Sequence, residues 1–317
     1  MIDLRQMQAL MAVAQTGSVA RAAKQLGWSQ PSVDYHLRNL DRLCGTALVE
    51  RSTRGSSLTA AGDIMLDRAR RILTLSQRAL HDVRAYAQSG LTRMKFGTFP
   101  TAASALLPSI VKRSKQAGLH IDSTLEEIYQ LVAHVNQHDY DAVLLYSVPG
   151  YDLPFAPTVS TTEVFREPLQ LALPVSHPLA RRKSIGVEAL VELQDENWLL
   201  GSTRDDPIDA IVVDAFKGAG HQLEVEFRTD DYSVMLGMVA AEMVVGLVPL
   251  LASMGHHPGV ALLPIDDPAF SRSLLVATPH SPAGSELAAN TRKLSGIITD
   301  CTSLIEDASV HGSELKP

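Results

Sequence analysis

The sequence predicts an α/β protein with an all-α N-terminal part that carries one β-hairpin, then a long linker helix. Three patterns predict it. Residues 4–44 give three short runs at helical spacing, followed by an alternating stretch at 46–59. Residues 66–87 carry apolar positions three and four apart for three heptads. From Arg93 onward, apolar strand-like runs alternate with helix-like ones, the pattern of a parallel sheet covered by helices.

The first helix spans 4–15, with Asp3 as its cap and Leu4, Met7, Leu10, Met11 and Ala14 on one face. Thr16-Gly17 stops it. Ser18 caps a second, alanine-rich helix, Val19 to Leu26, that Gly27 stops. Ser29 caps a third that runs to about Leu43. Pro31 lies in its first turn, where a missing N–H costs nothing. Its buried stripe is Val33, Leu37, Leu40 and Cys44. Two helices joined by a short Gly-containing turn make a helix-turn-helix. The hairpin at 46–59 then reads as a wing, with Arg51 and Arg54 near its tip.

Charge is distributed to match. Residues 1–90 hold 12 Lys and Arg against 7 Asp and Glu, and residues 91–317 hold 16 against 28, within a net charge of −7. Only the first part is suited to meet phosphate. No run of about 18 apolar residues exists to span a membrane. The N-terminus does not read as a secretory signal, so a cytoplasmic location is expected. The two cysteines, Cys44 and Cys301, are too few for a disulfide scaffold or a zinc cluster.

Ser18 to Gly62 resembles the winged helix-turn-helix of the LysR-type transcriptional regulators. The matching residues are Gly17-Ser18, Arg21-Ala22-Ala23, Leu26, Ser29-Gln30-Pro31-Ser32-Val33, Leu40-Asp41, Leu43, Gly45, Leu48, Arg51, Arg54 and Leu58-Thr59-Ala60-Ala61-Gly62. Asp34-Tyr35-His36 departs from the family, which more often has a small polar residue followed by a basic one, so base preference does not transfer. The resemblance extends to His177-Pro178-Leu179-Ala180 and Phe216-Lys217-Gly218-Ala219-Gly220. It implies a C-terminal effector domain of two α/β subdomains joined by crossover strands, as in periplasmic binding proteins of type 2. The expected division is a winged helix-turn-helix at 1–60, a dimerising linker helix at 61–90 and a regulatory domain at 91–317. Within that domain, subdomain I takes about 91–163 and 267–317, and subdomain II about 164–266.

Residues at the start of a recognition helix reach base edges in the major groove. Ser29, Gln30, Ser32, Asp34, Tyr35 and His36 are the candidates. Gln30 suits a bidentate pair with adenine, and Asp34 could accept from cytosine N4 or repel phosphate. Arg38 is placed for phosphate, Ser18 and Arg21 for the backbone, and Arg51 and Arg54 for the minor groove or its phosphates. One module discriminates poorly, so a homodimer formed through the 66–87 helix on two-fold-related promoter DNA is expected. Assembly into a homotetramer, and RNA polymerase as a further partner, are what the family resemblance implies.

The second half reads as a sensor. Ligands of open α/β sheets bind beyond the carboxyl ends of strands. Those ends are Thr98-Phe99-Pro100-Thr101, Glu127-Ile128-Tyr129 and Tyr146-Ser147, with Gly201-Ser202-Thr203-Arg204 and Thr229-Asp230 from the other subdomain. The effector candidates are Thr98, Pro100, Thr101, Glu127, Ile128, Tyr129, Ser147, Ser202, Thr203, Arg204 and Asp230. A small carboxylate held by Thr101, Thr203 and Arg204 is one expectation, and Glu127 leaves an amine open. Glu242 and Val244 stand where the family often has glycine, which leaves a second reading, an architectural DNA-binding protein whose C-terminal domain only oligomerises.

Other signals are weak. His134 and His138 have metal-compatible spacing without supporting ligands. Gly201-Ser202-Thr203 lacks the hydrolase elbow, and phosphate-loop and dinucleotide fingerprints are absent. No enzyme activity, metal or cofactor is expected. A peroxide sensor of this family would need two nearby cysteines in the second half, which has one.

Overall fold

The computed structural model describes residues 1–52, 55–89, 93–202, 206–254 and 257–311. The chain folds as two compact units, Met1–Thr92 with Gln137–Asp139, and Arg93–Asn136 with Tyr140–Pro317.

In the first unit, α1 (Leu4–Thr16), α2 (Val19–Leu26) and α3 (Gln30–Cys44) precede the hairpin β1 (Val49–Ser52) and β2 (Gly55–Leu58), and α4 (Ala60–Ser89) follows. A capping box fixes the start of α1: Asp3 accepts from backbone N–H groups, and the Gln6 side chain returns to the Asp3 N–H. Ser29 caps α3 by accepting from the Ser32 N–H. Ser18 occupies the cap position of α2 without a side-chain cap bond; the Thr16 hydroxyl accepts from the Ser18 N–H and donates to the Ser18 carbonyl. Gly17, Gly27 and Gly45 close the three helices in the left-handed region. Leu10, Val13, Ala22, Ala23, Val33, Leu37, Leu40 and Leu48 form the core of this unit. Cys44 is only half-buried.

The seam on α4 is divided in a way the spacing does not show. Leu66, Ala69 and Leu73 are buried, and Ala69 and Leu73 pack against Met7 of α1. Leu80 and Val83, further along the seam, are exposed. So are Ile64, Ile72 and Leu75, which lie off it. The start of the seam therefore holds α4 to its own unit.

The second unit begins β3 (Arg93–Thr98), α5 (Pro100–Gln116), β4 (His120–Leu125), α6 (Ile128–Asn136) and β5 (Ala142–Ser147). Next come β6 (Val159–Pro174), α7 (Val187–Val191), β7 (Trp198–Leu200), α8 (Pro207–Gly218) and β8 (Val225–Arg228). The unit ends α9 (Tyr232–Ala240), β9 (Gly246–Pro249), β10 (Val260–Pro264), β11 (Ser271–Pro279) and α10 (Glu286–His311). The sheet order is β10-β6-β11-β5-β3-β4, with β9 also paired to β6, while β7 and β8 pair with each other.

Alternation of strands and helices predicts a parallel sheet, and only part of the sheet is parallel. β3 pairs parallel with β4 and β5, and β7 with β8. β6, β9, β10 and β11 pair antiparallel. The reason is β6. From Val159 to Pro168 it pairs with β11, and from Leu169 onward with β9 and β10. One strand thus serves both halves of the unit. Its first half contains exposed Ser160, Thr161, Thr162 and Glu163, so only Leu169–Leu173 reads as a strand from sequence.

Two local corrections follow. His138 lies beyond the end of α6 with φ 61°, so His134 and His138 do not share a helical face. His134 instead sits 2.8 Å from Glu126. Glu242, in the turn after α9, has φ 60°. The left-handed turn that glycine would favour is kept with a side chain in place, and the Ser176 hydroxyl donates to Glu242.

Candidate functional site

Two surfaces carry the chemistry. On the first unit, the start of α3 presents Ser29, Gln30, Pro31, Tyr35 and Arg38 to solvent, Tyr35 with 59% exposure. Arg21 on α2 and Arg51 on β1 are exposed as well, while Ser18, Ser32, Asp34 and His36 are half-buried. His36 packs its ring 5.3 Å from Trp28 and 5.5 Å from Tyr35. Asp34 accepts from the Arg51 guanidinium at 2.6 Å. Arg54 lies outside the described residues.

The wing is held at two more points. The Ser56 N–H donates to the Gly17 carbonyl at 2.9 Å. Asp41, two turns beyond Asp34 on α3, accepts from the Leu48 N–H at 3.0 Å. A Cβ at Gly55 would come within 2.7 Å of the Gly17 carbonyl oxygen, so only glycine fits that close approach.

On the second unit, a cavity of about 70 Å³ lies where strand ends meet helix starts. Its floor is Arg272, on β11, paired with Glu167, on β6, at 2.5 Å. Both side chains are almost wholly buried, 1% and 0% exposed. Glu167 also accepts from the Leu251 N–H, and Arg272 donates to the Thr101 hydroxyl at 3.0 Å. The guanidinium lies 4.6 Å from the Tyr146 ring centre and 5.0 Å from that of Phe99.

The walls are acidic. Glu127 stands on one, and Asp206, Asp209 and Asp230 on the other. Much of the backbone polarity there is spent internally. Asp209 accepts from the Gly201 N–H at 2.8 Å, Asp230 from the Ser202 N–H at 2.7 Å, and Asp206 from the Ile208 N–H at 2.7 Å. Burial, then its neighbour Asp206, pushes the Asp209 carboxyl up to about 7. Burial likewise raises Asp206 and Glu127, with Asp230 adding to both. The Tyr146 hydroxyl is held well above its ordinary value by desolvation.

Of the expected effector residues, Pro100, Thr101, Glu127, Ile128 and Asp230 line the cavity. Thr98 is buried on β3 behind it, with its hydroxyl oxygen unpartnered. Tyr129 is half-exposed and off the lining, and Ser147 pairs with Ser273 at the end of β5. Ser202 contributes its backbone N–H to Asp230. Thr203 and Arg204 lie outside the described residues. Sequence reasoning did not single out Asp206, Asp209, Tyr232, Met235 or Arg272 as lining residues. Cys301 is buried in α10 with its thiol pushed up, by burial before anything else.

A hairpin-flanked helix-turn-helix with a separate cleft-bearing α/β unit defines a two-part regulator architecture. Residues 4–63 match the family model for bacterial regulatory helix-turn-helix proteins of the lysR family, and residues 87–294 match the LysR substrate binding domain. The chain belongs to the LysR family. It is 29% identical over 297 residues to the DNA-binding transcriptional dual regulator OxyR of Escherichia coli, covering 90% of this chain and 92% of that one. It is 30% identical over 212 residues to the small neutral protease regulatory protein of Streptomyces coelicolor. That match takes in 66% of this chain and 63% of the Streptomyces protein, so just under two thirds of that relative is spanned. The fold is shared with CbnR, a LysR family transcriptional regulator, at a TM-score of 0.58 and 22% identity over 94% of this chain and 99% of that one. CbnR in complex with its target DNA gives 0.51 at 23% identity, over 92% and 99%.

Proposed function

We propose that the chain is a sequence-specific DNA-binding transcriptional regulator of LysR type, controlled by a small molecule in the cleft of its second unit. The observation that carries this is the exposed start of α3 beside a β-hairpin bearing Arg51, in a chain whose two parts match the two family models. Gln30, Ser32 and Tyr35 are assigned to the major groove, Arg21 and Arg38 to the phosphates beside it, and Arg51 to the minor groove or its phosphates. A DNA partner implies the cytoplasm; no helix among the described residues is long and apolar enough to cross a membrane.

Exposed Ile64, Ile72, Leu75, Leu80 and Val83 on α4 suit a second copy of the chain, and dimers of dimers extend the contacts to DNA. The described cleft wall favours an effector that presents hydrogen-bond donors. Asp206, Asp209, Asp230 and Glu127 are acceptors when ionised, and Arg272 is already paired with Glu167. An amine or polyol therefore fits these groups better than a carboxylate.

The test has two parts. Enrichment from a randomised duplex pool, followed by titration at several salt concentrations, is expected to give a pseudo-palindromic site and a steep salt dependence. No enrichment would refute the DNA reading. Thermal shift against amines, polyols and carboxylates is expected to show stabilisation by donor-bearing compounds. Stabilisation by none, with unchanged DNA footprints, would favour the architectural reading.

A further inference from the structure

We infer that Asp34 is a positioning residue: it reads no base, but clamps the wing arginine Arg51 against the recognition helix. The inference rests on the DNA-binding reading above. It concerns a residue type that looks misplaced, since a carboxylate on a helix entering DNA is repelled by phosphate.

The geometry gives Asp34 another task. Helical periodicity turns each residue by about 100°, so positions seven apart nearly share one face. Asp34 and Asp41 are seven apart on α3. Both spend their carboxylates on the same strand and its approach: Asp41 on the Leu48 N–H, Asp34 on the Arg51 guanidinium. Val33, Leu37 and Leu40, toward the core, are buried. Pro31, Tyr35 and Arg38, on the outward line, are exposed. Asp34 lies between these two lines, on the flank turned toward β1, and is half-buried there.

Arg51 keeps half of its side chain exposed, at 49%, and only one of its nitrogens is bound to Asp34. A guanidinium has five N–H donors in a rigid fork. Fixing one edge on Asp34 leaves the rest directed outward and spares the entropy of ordering a long side chain when DNA arrives. The wing itself is already held at Ser56 and Leu48. The Asp34 tie thus sets the last degrees of freedom, those of the arginine.

A base reader, a bare repulsive charge and a clamp predict different outcomes. The measurement is a double-mutant cycle in the full-length chain, with DNA selected by the wild-type protein from a randomised pool and every single-base variant of that site. If the wild-type chain selects no site, the DNA-binding reading itself has failed, which is a separate result. With a site in hand, D34N is expected to weaken binding several-fold on all variants alike, without moving the preference at any position. D34E, whose longer side chain still reaches Arg51, is expected to recover most of the affinity. R51A is expected to weaken binding tenfold or more, and D34N added to R51A to strengthen it again, because the carboxylate then only repels. That reversal of sign is the signature of the clamp. Relaxed preference at one base pair in D34N would overturn the proposal in favour of base reading. Tighter binding by D34N in both backgrounds would overturn it in favour of plain repulsion. Melting curves for each variant separate loss of fold from loss of contact.

Discussion

Replacing Arg272 with Met tests the account of the cleft floor. Arg272 and Glu167 are 1% and 0% exposed and meet at 2.5 Å. Removing one partner of such a pair strands the other charge in a medium that solvates it poorly, at about 3–5 kcal/mol. Met roughly keeps the volume of the Arg stem but loses the bond to Thr101 and the contacts with Phe99 and Tyr146. For a unit of roughly this size each kcal/mol moves the melting temperature about 2–4 °C, so R272M is expected to lower it by about 6–20 °C. A second substitution, E167Q, removes the stranded charge while its amide oxygen still accepts from the Leu251 N–H. The double variant E167Q/R272M should therefore recover most of the loss. The chain has two tryptophans, Trp28 in the first unit and Trp198, wholly buried, in the second. In a W28F background, Trp198 fluorescence reports urea unfolding of the second unit alone. A loss below about 1 kcal/mol for R272M, or a double variant no better than the single one, would refute the argument that an uncompensated charge dominates.

Three further outcomes follow from the same physics. Asp209, raised to about 7, binds its proton more tightly in the folded chain than in the unfolded one. Its contribution to stability is therefore present at low pH and lost as pH rises through about 4 to 7. D209N should leave stability unchanged near pH 4 and raise it increasingly toward pH 8, measured by urea titration across that range. A Cβ at Gly62 would run into the Leu48 carbonyl oxygen and the Leu58 side chain. G62A should destabilise the first unit by about 3 kcal/mol, the upper end for overpacking, read from Trp28 fluorescence in a W198F background. At Glu242, φ 60° costs a side chain about 1–2 kcal/mol, partly offset by the bond from Ser176. E242G should stabilise the second unit by about 0.5–1 kcal/mol in the Trp198 assay.

Much of the first unit is legible from sequence because its determinants are local. Asp3 with Gln6, Ser29 with Pro31, and the glycines at 17, 27 and 45 each act within one turn of helix. The exposed line of Tyr35 and Arg38 follows from the same periodicity. The division of the α4 seam does not, because whether Leu66, Ala69 and Leu73 meet α1 or another chain depends on how the elements pack. Ser18 shows the opposite limit. It occupies a sound cap position with extended backbone, yet its side chain makes no cap bond, and nothing in the local sequence signals this.

The cleft is half legible, and the line between the halves is a physical one. Pro100, Thr101, Glu127 and Ile128 follow directly from strands, and the rule that ligands sit beyond carboxyl ends finds them. Asp206 and Asp209 begin a helix, where an acidic residue has an ordinary explanation as cap or dipole partner. Their closeness to Glu127 and Asp230 appears only in three dimensions. Arg272 and Glu167 did leave a trace. Each is a charged residue on a strand, on β11 and β6, and their charges are opposite. Arg272, the one charge in β11, and Glu167, beside Glu163 and Arg166 in β6, each read as an exposed position of the alternating pattern. The two, 105 residues apart, could have been read as a pair only if β6 and β11 were known to be neighbours. That adjacency is the part of the sheet that runs antiparallel, and the strand-helix alternation conceals it.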